Sequence, residues 1–237
     1  MGERMTLKTR FPLHLSGNQL KIIAMIAMTA DHVGLQLLPE LTFLRWIGRL
    51  ALPLYAYMIA EGCRHTRSRK RYLLSIALMA LVCQAVYLVA MGSLYQCILV
   101  TFSLSLCLIY LLDYAREAPG IGRWCLFGLG VITAWFLCQV LPTLLPGTDF
   151  RIDYDFWGIA LPLLIYLGKT RPQSLLLAAV GLVGLALDHG GRQWLGLLAL
   201  PLLMLYDGTR GKRNIKYLFY FYYPAHLVVI YILSIIL

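Results

Sequence analysis

The strongest constraint in this chain is a pattern repeated from end to end: an apolar stretch of near-spanning length, a short charged gap, then another apolar stretch. A helix needs about 20 residues to cross ~30 Å of hydrocarbon, and ~17–25 is common. On that ruler, candidate spans fall at 20–38, 46–63, 72–91, 96–112, 124–141, 155–168, 174–188, 193–206 and 216–237. The sixth, seventh and eighth are short and suit tilted, broken or re-entrant segments. Composition agrees: 60% of residues are hydrophobic and 14% charged, where soluble domains run about 45–50% and 25%. One soluble core of this size cannot cover so much apolar surface, so lipid is the expected solvent. The expected fold is all-α, a polytopic transmembrane helix bundle of about nine spans, built as a single integral-membrane domain over residues 1–237.

Charge sorting gives an orientation. If the N-terminus is cytoplasmic and the spans alternate, one side carries 17 of the 21 basic residues. These are Arg4, Lys8, Arg10 and Lys21; Arg64, Arg67, Arg69, Lys70 and Arg71; Arg116 and Arg123; Lys169 and Arg171; and Arg210, Lys212, Arg213 and Lys216. The other side carries Arg45, Arg49, Arg151 and Arg192. A missed helix would scramble every later loop, so this asymmetry predicts N-in, C-out topology. It also accounts for the net charge of +10 without nucleic acid as a partner. The largest outer loop, 142–155, is acidic, with Asp149, Asp153 and Asp155 against Arg151.

Six cysteines show no CxxC and no paired spacing, so they read as buried thiols, not disulfides or a metal site. Residues 1–19 mix Arg, Lys, His and Pro and lack a long apolar core, which argues against a cleaved signal peptide.

Ionisable residues inside spans cost at least ~2.5–3.5 kcal/mol at a helix centre, so each needs a reason. Asp31 and His32 are adjacent in the first span and point about 100° apart on a helix. They offer an acid and a base to two directions of a bundle interior, or else pin the first helix to its neighbours. In the second span Arg49 and Glu61 lie too far apart to pair, and Asp31 is a plausible partner for Arg49. In the last span Pro224 and His226 suggest a kink beside a mid-membrane cavity, or an ordinary kink with a hydrogen-bonded histidine. Tyr217, Tyr220, Tyr222 and Tyr223 before them read as an interfacial belt. Asp188-His189 reads as a solvated turn. The run Arg64-His65-Thr66-Arg67-Ser68-Arg69-Lys70-Arg71 enforces topology, touches anionic lipid, or binds a polyphosphate from the cytoplasm. Residue chemistry alone therefore fits a proton-coupled small-molecule transporter as well as an enzyme.

Several strings also resemble a known family. Residues 20–34, from Leu20 through the Asp31-His32 pair to Gly34, resemble the opening motif of the TraX family. GRLALPLYAYMIAEG (48–62) with the HTRSRKRY stretch, DYDFWGIALPLLIYL (153–167) and FYYPAHL (221–227) resemble its later motifs, in order and over almost the whole chain. The matching positions are Asp31, His32, Gly48, Arg49, Pro53, Glu61, Gly62, Thr66, Arg67, Pro224 and His226. The resemblance implies a bacterial inner-membrane acetyltransferase, more distantly similar to membrane acyltransferases that acetylate surface sugars. It would move an acetyl group from cytoplasmic acetyl-CoA to an acceptor amine or hydroxyl, pilin-like in the founding case. It implies catalytic roles for His32, Asp31 and His226, and acetyl-CoA binding by Arg64, Arg67, Arg69, Lys70 and Arg71. Arg49 and Glu61 are left as substrate-binding or structural polar groups, with no metal. Direct transfer and an acetyl-histidine intermediate on His32 or His226 both remain open.

Overall fold

The helix starts follow local chemistry. Ser16 caps the first helix, α1 (Gly17–Gln36), by a capping box with Gln19, satisfying N–H groups that the helix cannot. Ser68 caps α4 (Arg69–Met91), and Thr170 caps α9 (Arg171–His189) with Gln173. The remaining elements are α2 (Thr42–Gly48), α3 (Ala51–His65), α5 (Ile98–Glu117), α6 (Ile121–Gln139), α7 (Leu141–Leu144), α8 (Asp155–Leu167), a 3-10 segment (Gly191–Leu198), α10 (Ala199–Met204) and α11 (Lys216–Ile236). This computed structural model describes residues 14–212 and 215–236. Arg4, Lys8, Arg10 and Arg213, counted above, lie outside the described residues, as do the side chains of Lys216, Tyr217 and Tyr220.

Among the described residues the fold is helical, with no strands beyond two isolated bridges. Four helices, α4, α5, α6 and α9, are long and apolar enough to cross a membrane, and α8 and Phe221–Ile236 are shorter apolar helices. The expected second span is broken into α2 and α3 at Arg49–Leu50, which lets Arg49 turn inward. The expected eighth span is a 3-10 segment followed by a six-residue helix.

Lipid is as apolar as leucine, so helices here cannot associate by expelling water and must pack closely through small residues. Ala24 and Ala27 of α1 and Ala56 and Ala60 of α3 are almost fully buried. Leu78 and Leu81 on α4 and Leu129 and Ile132 on α6 face outward, as lipid-facing side chains do. Cys63, Cys83, Cys97 and Cys138 are buried thiols, but Cys107 and Cys125 are exposed on α5 and α6, contrary to the expectation for all six.

Contacts define two ends of the bundle. At the acidic end the α4–α5 loop joins the segment before α8 through Gln96 N–H to Arg151 O (2.8 Å) and Asp153 N–H to Gln96 O (3.0 Å). At the basic end Arg64 donates to Glu61 (2.6 Å), to the carbonyls of Ile165 (2.7 Å) and Gly168 (2.9 Å), and to Ser174 Oγ (2.9 Å). Arg69 pairs there with Asp113 (2.8 Å) and Glu117 (3.4 Å).

Candidate active site

The site is assembled where α1 meets α2, α3 and α11. Residues three or four apart on a helix share a face, so Thr29 and His32 of α1 meet Tyr222 and His226 of α11. Thr29 Oγ1 lies 2.5 Å from the Tyr222 hydroxyl, and His32 Nδ1 lies 2.9 Å from His226 Nε2. The two imidazoles stack with centroids 5.0 Å apart, and Tyr222 stacks on the far side of His226 at 5.3 Å. Tyr222 and Tyr223, expected in an interfacial belt, thus pack on His226 inside the bundle. The helix runs on through Pro224.

This chain of contacts fixes which nitrogens carry protons. His226 Nδ1 is 3.0 Å from the Tyr222 carbonyl, and a carbonyl only accepts, so Nδ1 holds the hydrogen. In a neutral ring the other nitrogen is then bare. His226 Nε2 therefore accepts from His32 Nδ1–H, and His32 Nε2 is left with its lone pair. That nitrogen has no hydrogen-bond partner among the described residues, and His32 lines a cavity of about 560 Å³.

Asp31 does something else. Its Oδ1 takes Arg49 Nη2 at 2.5 Å and its Oδ2 takes Arg45 Nη1 at 2.9 Å. Arg45 also reaches the Asp31 carbonyl (3.2 Å), and Arg49 lies over the Tyr154 ring at 5.8 Å. Asp31, expected as a partner for Arg49, holds both Arg49 and Arg45. The helix approach this requires explains Gly48, where a Cβ would overlap the Asp31 carboxylate.

The cavity continues to the acidic end, where Arg151, Asp153, Asp155 and His189 line it. Asp188-His189, expected as a solvated turn, instead sends the His189 ring to Asp155: Nε2 to Oδ2 is 3.2 Å. Asp155 sits on strained backbone, since Tyr154 and Asp155 both have positive φ (60° and 47°), which non-glycine residues seldom adopt. Asp153, in the connection before α8, accepts from the Tyr95 hydroxyl at 2.6 Å. Enclosure by protein pushes its carboxyl up to about 6, partly opposed by the Tyr95 hydrogen bond.

That shift has a stability consequence. A carboxyl whose folded value lies above its unfolded value of about 3.9 favours the fold below that pH, and the contribution is lost as pH rises through about 6. Asp153→Asn mimics the protonated acid. It is expected to match wild type near pH 4 and to exceed its stability by about 3 kcal/mol above pH 7. Thermal unfolding of both proteins in detergent across that range measures the difference, and a difference that stays flat with pH contradicts the assignment.

A second, narrower cavity of about 130 Å³ shares Met28, Tyr55, Ile98 and Tyr223 with the first. Its other lining residues include Lys21, at the start of α1, Tyr72, at the start of α4, and Phe219 near the start of α11. The second cavity thus lies toward the basic end, and the first holds His32 and reaches the acidic end. Of the basic run, Arg64 and Arg69 are engaged in the ion pairs above. Arg67, Lys70 and Arg71 are exposed and have no ion pair among the described residues. Glu61 is held by Arg64, with Tyr206 Oη at 3.3 Å and His65 Nε2 at 3.5 Å from its other oxygen.

The features gathered here, an Asp-His pair on α1, Gly48-Arg49 before α3 and a histidine on α11, fall inside a match to the family model for the TraX protein over residues 16–234. The chain belongs to the TraX family. A curated relative described as a probable fimbrial assembly protein FimC, serogroup H1, of Dichelobacter nodosus is 29% identical over 254 residues, covering 92% of this chain and 95% of the relative. The uncharacterized protein RP591 of Rickettsia prowazekii (strain Madrid E) is 58% identical over 38 residues, covering 16% of this chain and 15% of that one. No solved structure matches the chain. All the site contacts described above lie within the TraX match. The sequence reading assigned Arg45, Asp153, Asp155, His189 and Tyr222 to loops, a turn and an interfacial belt, not to the site. The DYD string before α8 was the available signal for the two aspartates, since it is one of the stretches that resembles TraX motifs.

Proposed function

We propose that this TraX-family protein is a membrane acetyltransferase that moves an acetyl group from acetyl-CoA to an acceptor amine or hydroxyl, with His32 Nε2 as the reacting nitrogen. The observation that carries the reading is that His32 lines a large cavity and that a second, narrower one toward the basic end shares Met28, Tyr55, Ile98 and Tyr223 with it. The narrow apolar passage suits a slender thioester arm, and its mouth is close to the start of α4, where Lys70 and Arg71 lie. The bare lone pair of His32 suits nucleophilic attack on the thioester carbonyl. The carbon–sulfur bond breaks and CoA departs as its thiolate, the Nδ1 proton moves to His226 Nε2, and a neutral acetyl-imidazole remains on His32 beside a protonated His226. In this reading His226 positions and buffers His32, and Asp31 with Arg49 and Arg45 is scaffold.

The reading includes nine membrane crossings with the N-terminus in the cytoplasm of a bacterial inner membrane, so that the basic end meets cytoplasmic acetyl-CoA. The fimbrial description of the Dichelobacter relative supports a pilin-like acceptor. The deciding experiment is acetyl-CoA binding and release of free CoA by the purified protein in detergent, beside His32→Ala. Binding and turnover by wild type, with binding alone by the variant, upholds the enzyme. If neither protein binds CoA at millimolar concentration, the enzyme reading is wrong and the transporter reading takes its place.

The basic run should divide in function. Arg67, with forked donors free to meet phosphate, is expected to lose about tenfold in CoA affinity as Arg67→Lys, because a lysine is a point charge without the bidentate geometry. Arg64→Lys, which breaks contacts to α8 and α9, is expected to lower stability instead. Unaltered CoA affinity in Arg67→Lys, measured by calorimetry, removes the phosphate role.

A further inference from the structure

We propose that Asp155 and His189 form the acceptor-side base of the same cavity, a second catalytic pair that accepts a proton from the incoming acceptor while His32 carries the acetyl group. The proposal rests on the acetyl-transfer reading above, and three observations support it.

The first is an orphaned atom. The Asp155 side chain is 6% exposed, and its Oδ2 is shared by His189 Nε2 at 3.2 Å and Arg151 Nε at 3.3 Å. Its Oδ1 is buried with no hydrogen-bond partner among the described residues. An unsatisfied buried carboxylate oxygen is costly, and an N–H or O–H donor from a ligand would satisfy it. The second is the tautomer. A carboxylate oxygen accepts, so His189 Nε2 carries the hydrogen and Nδ1 is bare in the neutral ring. That nitrogen lies 3.6 Å from Asp188 Oδ2, whose side chain is 41% exposed, so a proton taken by His189 has a second carboxylate and water beside it. The third is the backbone. Two successive non-glycine residues at positive φ aim Asp155 inward, and strain of this kind tends to be kept where a site needs it.

The chemistry divides between the two histidines. An α-amine has a pKa of about 8 and enters mostly as an ammonium at neutral pH. One N–H is anchored on Asp155 Oδ1, and one proton passes to His189 Nδ1. The uncharged nitrogen attacks the acetyl carbonyl, the N–C bond forms, and the carbon–Nε2 bond of acetyl-His32 breaks. The second amine proton goes to the departing imidazole, which leaves neutral, and His189 gives up its proton at the acidic end.

The test compares two acceptors in wild type, His189→Gln and Asp155→Asn. Glycinamide needs a base because it is mostly protonated, whereas hydroxylamine is already uncharged at neutral pH and attacks without prior deprotonation. His189→Gln is expected to slow acetyl transfer to glycinamide about 10²-fold and to hydroxylamine less than about threefold, as for loss of a general base. Asp155→Asn is expected to follow it. Size-exclusion profiles control for folding. If His189→Gln slows both acceptors equally, or neither, the pair is not the base, although wild-type transfer would still uphold the enzyme. If wild type acetylates neither acceptor, the acetyl-transfer reading fails and the pair's role falls with it.

Discussion

His32→Ala is expected to lower acetyl-CoA turnover by at least about 10³-fold while leaving CoA affinity unchanged, because it removes the reacting nitrogen and nothing at the basic end. His226 should behave differently. It is 7% exposed, hydrogen-bonded to the Tyr222 carbonyl on one side and to His32 on the other. Its effect must therefore pass through the tautomer of His32. Without it, His32 divides between two neutral tautomers, and only one presents a lone pair at Nε2. His226→Ala is expected to cost about 10–10²-fold, and the double variant should be no worse than His32→Ala, since groups acting as a unit are not additive. Nitrogen-15 NMR of labelled histidine gives a readout that a packing role would not move: His32 Nε2 should be unprotonated in wild type and partly protonated in His226→Ala. A wild-type spectrum with the proton on Nε2 would make His32 a donor to the cavity and overturn the assignment, whatever the kinetics.

Much of this arrangement was legible in the chain, for identifiable reasons. Asp31, His32, Arg49 and His226 stood out because charge or imidazole in an apolar run is expensive, and the Asp31–Arg49 pair followed from their common depth. The break between α2 and α3 was not legible. Residues 46–63 are apolar enough to read as one span, and only the inward turn of Arg49 and the contact between Gly48 and Asp31 separate them. Arg45 was counted as a loop cation because hydropathy does not report direction; three residues beyond α2's start at Thr42, it reaches back to α1. His189 was read as part of a solvated turn because Asp188-His189 closes its span at the outer face; its partner, Asp155, is brought in from the start of α8. The basic run is not uniform in its contacts. Arg64 and Arg69 are committed to α8, α9 and α5 by contacts more than forty residues away in sequence, beyond what a local pattern can contain.

The second large effect is structural and falls on the same helix. Asp31 is the counter-charge for two arginines whose side chains are only 20% and 11% exposed. Asp31→Ala leaves both cations enclosed without a partner, and breaking a buried ion pair in this way costs about 3–5 kcal/mol, a large share of the ~5–15 kcal/mol by which a typical fold is stable. Asp31→Ala is therefore expected to accumulate poorly and to unfold at lower temperature in detergent, with Gly48→Ala close behind it because the added Cβ displaces the same carboxylate. Activity loss in either variant says nothing about chemistry until the fold is restored. Replacing the whole cluster by apolar residues (Asp31→Leu with Arg45→Leu and Arg49→Leu) removes the unpaired charges as well as the pair, and such replacements are often neutral or stabilising. The triple variant is expected to regain thermal stability. If it regains acetyl transfer too, the cluster is scaffold alone. If it is stable and inactive, one of the arginines meets the substrate in the cavity that both line. A triple variant as unstable as Asp31→Ala would mean that the ion pairs are not what holds α1 to α2, and the packing of Gly34 against Leu44 would be the contact to examine next.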